Sequence, residues 1–168
     1  MLDRRKGLKL AAIASDMKNS VAEVLGKPVS ELADRADQRT LALWAADCAE
    51  RVLPRFEERH PEDHRPRRAI EALRTWAATG VFRMADVRKA SLAAHAAASE
   101  AEGDDAVAAA RAAGQAIATA HVPTHAIGAA AYAIKAAALH SDDPDDAIIK
   151  ERDWQLQRLR RIANAPRG

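Results

Sequence analysis

Cysteine is nearly missing from this chain of 168 residues: Cys48 stands alone, so neither an intramolecular disulfide nor a CxxC zinc or redox pair can form. Aromatic residues reach only 4%, and β-branched residues are sparse, which excludes a β-sandwich or barrel. No uncharged apolar run approaches the ~18 residues of a membrane-spanning helix. An excess of one charge is missing too, because 26 Lys plus Arg face 24 Asp plus Glu for a net of +2. The N-terminal stretch Met1 to Leu10 is basic but has no apolar core or small-residue cleavage site, so a reducing, cytoplasmic setting is expected. There is also no GxGxxG, Walker-type loop, GxSxG or HExxH. Neither an enzyme nor a cofactor is expected from such a chain.

What is abundant is alanine, at 42 positions or a quarter of the chain. Alanine is the strongest helix former, so the expected class is all-α, either a multi-helix bundle or a solenoid-like stack of helical hairpins. Turn and cap signals place the helices. The first runs from Lys9 to Leu25, with a stripe of Ile13, Met17, Val21 and Val24, and stops at Gly26 and Pro28. Ser30 is then the expected N-cap of a short turn. A long helix from Gln38 to Arg59 carries Leu41, Trp44, Cys48, Val52 and Phe56 on one face, broken at Pro54. Pro66 opens the next helix and Gly80 ends it.

Further on, Ala85 to Glu102 lines up Met84, Val87, Ser91, Ala94, His95 and Ala98. Asp104 and Asp105 are the expected caps of a helix with the stripe Val107, Ala110, Gly114, Ile117 and His121. Pro123 to Leu139 is apolar nearly all round and belongs at the centre of a bundle. An acidic turn at Ser141 to Asp146 precedes the last helix, expected to turn Ile149, Leu156 and Leu159 inward. Residues 1–37 read as an N-terminal accessory helix and turn, and 38–165 as one helical domain.

Three constellations could carry chemistry. His121 and His125, four apart, with His95 as a third ligand, are the candidates for a metal site, although Pro123 interrupts the register. Cys48 follows Trp44 by four on an apolar stripe and reads as a small core residue. Charge is the stronger signal. Residues 65–89 hold Arg65, Arg67, Arg68, Arg74, Arg83, Arg88 and Lys89 against Glu71 and Asp86, and residues 150–167 are similarly basic. Acidic clusters lie between them at 100–105 and 142–146. Such blocks suit a charged partner, a protein or a phosphate backbone. The candidate binding residues are Asp63, Arg65, Arg67, Arg68, Arg74, Trp154, Arg158 and Arg161, with Trp154 on one helix face with Arg158 and Arg161. Nothing in the pattern sets an oligomeric state.

Two stretches carry a resemblance: Leu41-Ala-Leu-Trp-Ala-Ala-Asp-Cys-Ala-Glu-Arg-Val-Leu53, and Pro61-Glu-Asp-His-Arg-Pro-Arg-Arg-Ala-Ile-Glu-Ala72. With Ala94 to Ala98, Thr119 to Val122 and Glu151 to Gln155, they are similar to the immunity-protein family of bacterial polymorphic toxin systems. The likeness covers about residues 39 to 160 and picks out Trp44, Asp47, Cys48, Asp63, Arg65, Pro66, Arg74, Trp76, His95, His121 and Trp154. It implies an α-helical protein that protects its producer by binding a cognate toxin, with no catalytic set. The alternative from the residues alone is a helical-repeat nucleic-acid binder using the arginines.

Overall fold

The structure, a computed structural model, describes residues 21–166. Among the described residues the chain forms helices and no strand: α1 (Val21–Leu25), α2 (Lys27–Arg35), α3 (Gln38–Val52), α4 (Pro54–Glu57), α5 (Arg65–Thr79), α6 (Met84–Glu100), α7 (Asp104–Ala118), α8 (His125–His140) and α9 (Pro144–Ala163). The stretch Lys9 to Ser20 of the expected first helix lies outside the described residues.

Local chemistry explains most of these limits. The Asp37 carboxylate accepts from the Thr40 amide (2.8 Å) and caps α3. Asp143 does the same for the Asp146 amide at the start of α9 (3.1 Å). Pro54 separates α3 from α4, and Pro66 sits in the first turn of α5, where its missing N–H is no loss. Gly80 ends α5 in the left-handed region at φ 69°, its amide donating to the Trp76 carbonyl (2.7 Å).

Alanine-rich α7 and α8 pack on each other most extensively and fill the centre. On α7, Ala106, Ala109, Ala110, Ala112, Ala113 and Ala116 are fully enclosed. Helix α8 answers with Ala126, Ala129 to Ala131, Ala133 and Ala136. Larger side chains come from the surrounding layer: Trp44 of α3, Phe56 of α4, Ile70 and Leu73 of α5, and Ile148 and Leu159 of α9. Val24, Leu25, Val29 and Ala33 of α1 and α2 join the same core. Gly114 has a definite reason: a Cβ there would lie 2.7 Å from the His95 Nε2 of α6, so only glycine admits that ring. Because α3 touches α7, α8 and α9 together, and α5 reaches α7, the assembly is a bundle. In a solenoid each hairpin would meet only its neighbours.

Four local expectations are corrected. Ser30 lies inside α2, and its hydroxyl donates back to the Ala22 carbonyl (3.2 Å); the N-cap is Gly26. Asp104 and Asp105 are the first residues of α7 rather than its caps; Gly103 precedes them, and the Asp105 side chain serves Arg59 and His140. Ile149 is 42% exposed, and the inward stripe of α9 is Ile148, Glu151, Gln155 and Leu159, which follows the helical period through two polar residues. Met84, at the exposed start of α6, is 45% accessible and no part of the core stripe.

Candidate binding face

Asp47, Glu50 and Arg51 share one face of α3, at i, i+3 and i+4, turned towards α5 and α9. Asp47 joins both neighbours: its Oδ1 accepts from Arg74 Nη2 of α5 (2.9 Å) and its Oδ2 from Arg158 Nε of α9 (2.6 Å). Glu50 takes a second bond from Arg74 and lies 3.9 Å from Arg67, whose guanidinium forks onto Glu57 of α4. Arg158, Asp47, Arg74, Glu50, Arg67 and Glu57 thus form one continuous chain of alternating charge along the flank. Planar guanidiniums suit this arrangement because each presents several donors in a fixed fork.

On the same flank Arg51 Nε donates to Glu151 Oε2 (2.9 Å), and its guanidinium lies over the Trp154 ring at 4.4 Å. Glu151 is buried with its other oxygen unpartnered. Burial raises its carboxyl above the usual value, against the pull of Arg51. The flank is anchored below by Trp44, whose indole N–H donates to the Gln155 carbonyl (3.0 Å), while the Gln155 amide donates to the Ala130 carbonyl (3.0 Å). Two hydrogen bonds therefore tie α3, α9 and α8 together in the interior. Cys48, beside them, is fully buried, and burial together with Glu151 and Asp47 pushes its thiol well up. It behaves as a small hydrophobe.

At the entrance to α5, Asp63 accepts both the amide and the guanidinium of Arg65, which also reaches Glu100 of α6 (2.6 Å). The Arg65 hydrogen bond holds the Asp63 carboxyl below its ordinary range. Asp63, Arg65, Arg67, Arg74, Trp154 and Arg158 all find partners within the body, and most stay about one-third exposed. Arg68 and Arg161 are exposed and make no ion pair among the described residues. Arg161 instead borders a cavity of about 750 Å³ with Arg39, Leu43, Arg158 and Ile162.

The histidines do not assemble into the expected metal site. His95 Nδ1 meets Arg111 (3.1 Å), and burial and that guanidinium lower its pKa. His125 Nδ1 meets Gln115 Oε1 (2.8 Å), and the exposed His121 stacks on Phe82 at 6.1 Å between ring centres. Each ring is held by a different neighbour, and no group of three or more His, Cys, Asp or Glu among the described residues could hold a metal ion.

Asp47 and Glu50 read from the sequence as ion-pair partners of Arg51 and nearby basic residues; they pair with Arg74 and Arg158, while Arg51 goes to Glu151. It is Glu57 and Glu151 that the sequence reading missed. The available signal for Asp47, Glu50 and Arg51 was their common helix face; nothing local announced Glu151, since its partner is 100 residues away.

No helix among the described residues is long and apolar enough to cross a membrane. No curated protein and no solved structure matches the chain. A family model described as "Imm-5 like putative immunity protein" matches residues 31–162, from the middle of α2 to the last turn of α9, and the chain belongs to that family.

Proposed function

We propose that this chain neutralises a cognate toxin by direct, stoichiometric binding in the bacterial cytoplasm, and that the α3–α5–α9 flank is the face it uses. Family membership supports an immunity-type role. The observation that carries the choice of face is the chain of guanidiniums, each about one-third exposed, from Arg158 through Arg74 to Arg67, each fixed by a carboxylate of a neighbouring helix. Side chains already ordered avoid an association cost of roughly 0.5–1.5 kcal/mol apiece. Arg51 stacked on Trp154 adds the residue pair that most often dominates interface energetics. The same carboxylates disfavour the nucleic-acid alternative, since phosphates would have to displace Asp47, Glu50 and Glu57 to reach these arginines.

The test is co-expression with the toxin encoded beside this gene. Growth should be restored once the two proteins are equimolar, and Trp154→Ala or Arg68→Glu should weaken protection while circular dichroism stays unchanged. Failure to protect at any ratio overturns the reading, and full protection far below equimolar levels would indicate a catalytic antidote instead.

A further inference from the structure

The antiparallel course of the helices sorts the charged blocks onto opposite ends of the bundle. At one end lie the α5–α6 turn, the α7–α8 connection and the start of α3. These are tied together by Gln38 donating to the Thr119 and Ala120 carbonyls (3.0 and 3.1 Å) and Arg39 to the Ala77 carbonyl (2.9 Å). At the other end lie the α6–α7 and α8–α9 turns, joined by His140 and Arg59 on Asp105.

The first end is basic and apolar. Val81, Phe82, Met84 and Leu92 are 63%, 41%, 45% and 60% exposed, and a cavity of about 340 Å³ opens between Met84, Val87 and Leu92 of α6 and Ala118 and His121. Arg83, Arg88 and Lys89 surround them, exposed and without an ion pair among the described residues; Asp86 is the acid on the same turn. Elsewhere Arg51, Arg59, Arg65, Arg67, Arg74 and Arg158 are all paired. Four large apolar groups and three unsatisfied cations in one place form a docking surface rather than ordinary solvated surface.

The opposite end is its complement. Glu102, Asp104, Asp142 and Asp143 are exposed there and make no ion pair among the described residues; Arg59, Arg65 and Lys150 are taken by Asp105, Glu100 and Asp146. That leaves Arg68, in the first turn of α5, as an exposed cation facing this excess of acid. Leu139 and Ile149, 43% and 42% exposed, flank the α8–α9 turn. An acidic rim with apolar side chains beside it matches a basic rim around apolar side chains.

We infer that the basic end of one copy seats the acidic end of a second copy, giving head-to-tail self-association through faces separate from the α3–α5–α9 flank. The contact is heterologous, so every assembly keeps one free basic end and one free acidic end and grows with concentration. The aliphatic centre favours a protein surface over a nucleic acid, which would leave Val81 and Leu92 in water. Because opposite charges draw the ends together, association falls with ionic strength as the Debye length shrinks from ~30 Å at 0.01 M to ~3 Å at 1 M.

Sedimentation velocity on the full chain tests this without any toxin, so its outcome is independent of the proposed function. At low salt the weight-average sedimentation coefficient should rise with concentration beyond that of a dimer, and at high salt it should return to the monomer value. Phe82→Asp disables the basic end and Ile149→Asp the acidic end; each alone should remain monomeric, and an equimolar mixture should form a 1:1 heterodimer and nothing larger. Leu92→Asp serves in place of Phe82→Asp should the latter unfold by circular dichroism. A monomer at every concentration in low salt overturns the inference. So does association that Ile149→Asp leaves intact, which would mean a symmetric contact between basic ends, and so does binding only when duplex DNA is added.

Discussion

Replacing Asp47 by Asn removes one charge and almost no volume, and it strikes the side chain that joins three helices. Asp47 is 12% exposed and accepts from Arg74 and Arg158, which are 34% and 36% exposed. A hydrogen bond to a charged group contributes roughly 1.5–3 kcal/mol. Partial exposure of both guanidiniums lowers each towards about 1 kcal/mol, and Arg74 keeps Glu50. The expected loss is therefore about 1–2 kcal/mol, or a fall in Tm of roughly 2–8 °C at 2–4 °C per kcal/mol for a chain of this size. Urea and thermal unfolding followed by tryptophan fluorescence report it, since Trp154 and Trp44 flank the site. Lys150→Gln is the control: its pair with Asp146 is 73% and 49% exposed and should contribute less than about 0.5 kcal/mol. Arg158→Met in the Asp47→Asn background should cost less than in the native chain. An Asp47→Asn loss no larger than that of Lys150→Gln would refute the view that this network orders the flank.

Other consequences follow from single contacts. Glu151 has its carboxyl raised by burial, so its protonated form favours the fold in acid, and that contribution is lost as pH rises through the raised value. Glu151→Gln should accordingly raise the urea midpoint at pH 8 and leave it nearly unchanged at pH 4; equal effects at both would contradict this. Asp63 has the opposite sign: Arg65 lowers its carboxyl, so the pair stabilises above the ordinary carboxylate range and is lost as pH falls through the lowered value. Arg65→Gln should flatten that acid limb of the stability profile. Gly114→Ala gains about 1 kcal/mol of helix propensity but drives a methyl into the His95 ring, an overpacking cost of roughly 1–3 kcal/mol. It should destabilise the native chain and stabilise a His95→Ala background, as measured by thermal unfolding.

The parts of the fold legible in the sequence are those governed by neighbours along the chain. Pro54, Pro66 and Gly80 act within one turn, and alanine density marked α7 and α8 as central because small side chains allow close axes. On α9 Leu159 is buried and Leu156 packs on the core as expected. Ile149 was misplaced because the inward positions include Glu151 and Gln155, which are buried by virtue of partners on α3 and α8. The arginines were found as candidates, but their state depends on pairing across distant segments: Arg158 meets Asp47 across 111 residues and Arg51 meets Glu151 across 100. Charge blocks read in one dimension look alternating; antiparallel packing turns part of them into internal pairs and leaves the remainder at two opposite ends.

Calorimetric titration of the purified chain with candidate toxin domains encoded in the neighbourhood of its gene tests the proposed role most directly. The expected result is saturable 1:1 binding that weakens at least about tenfold, about 1.4 kcal/mol, in Trp154→Ala with the fold retained. A toxin that neither binds the native chain nor loses activity in its presence would contradict the account.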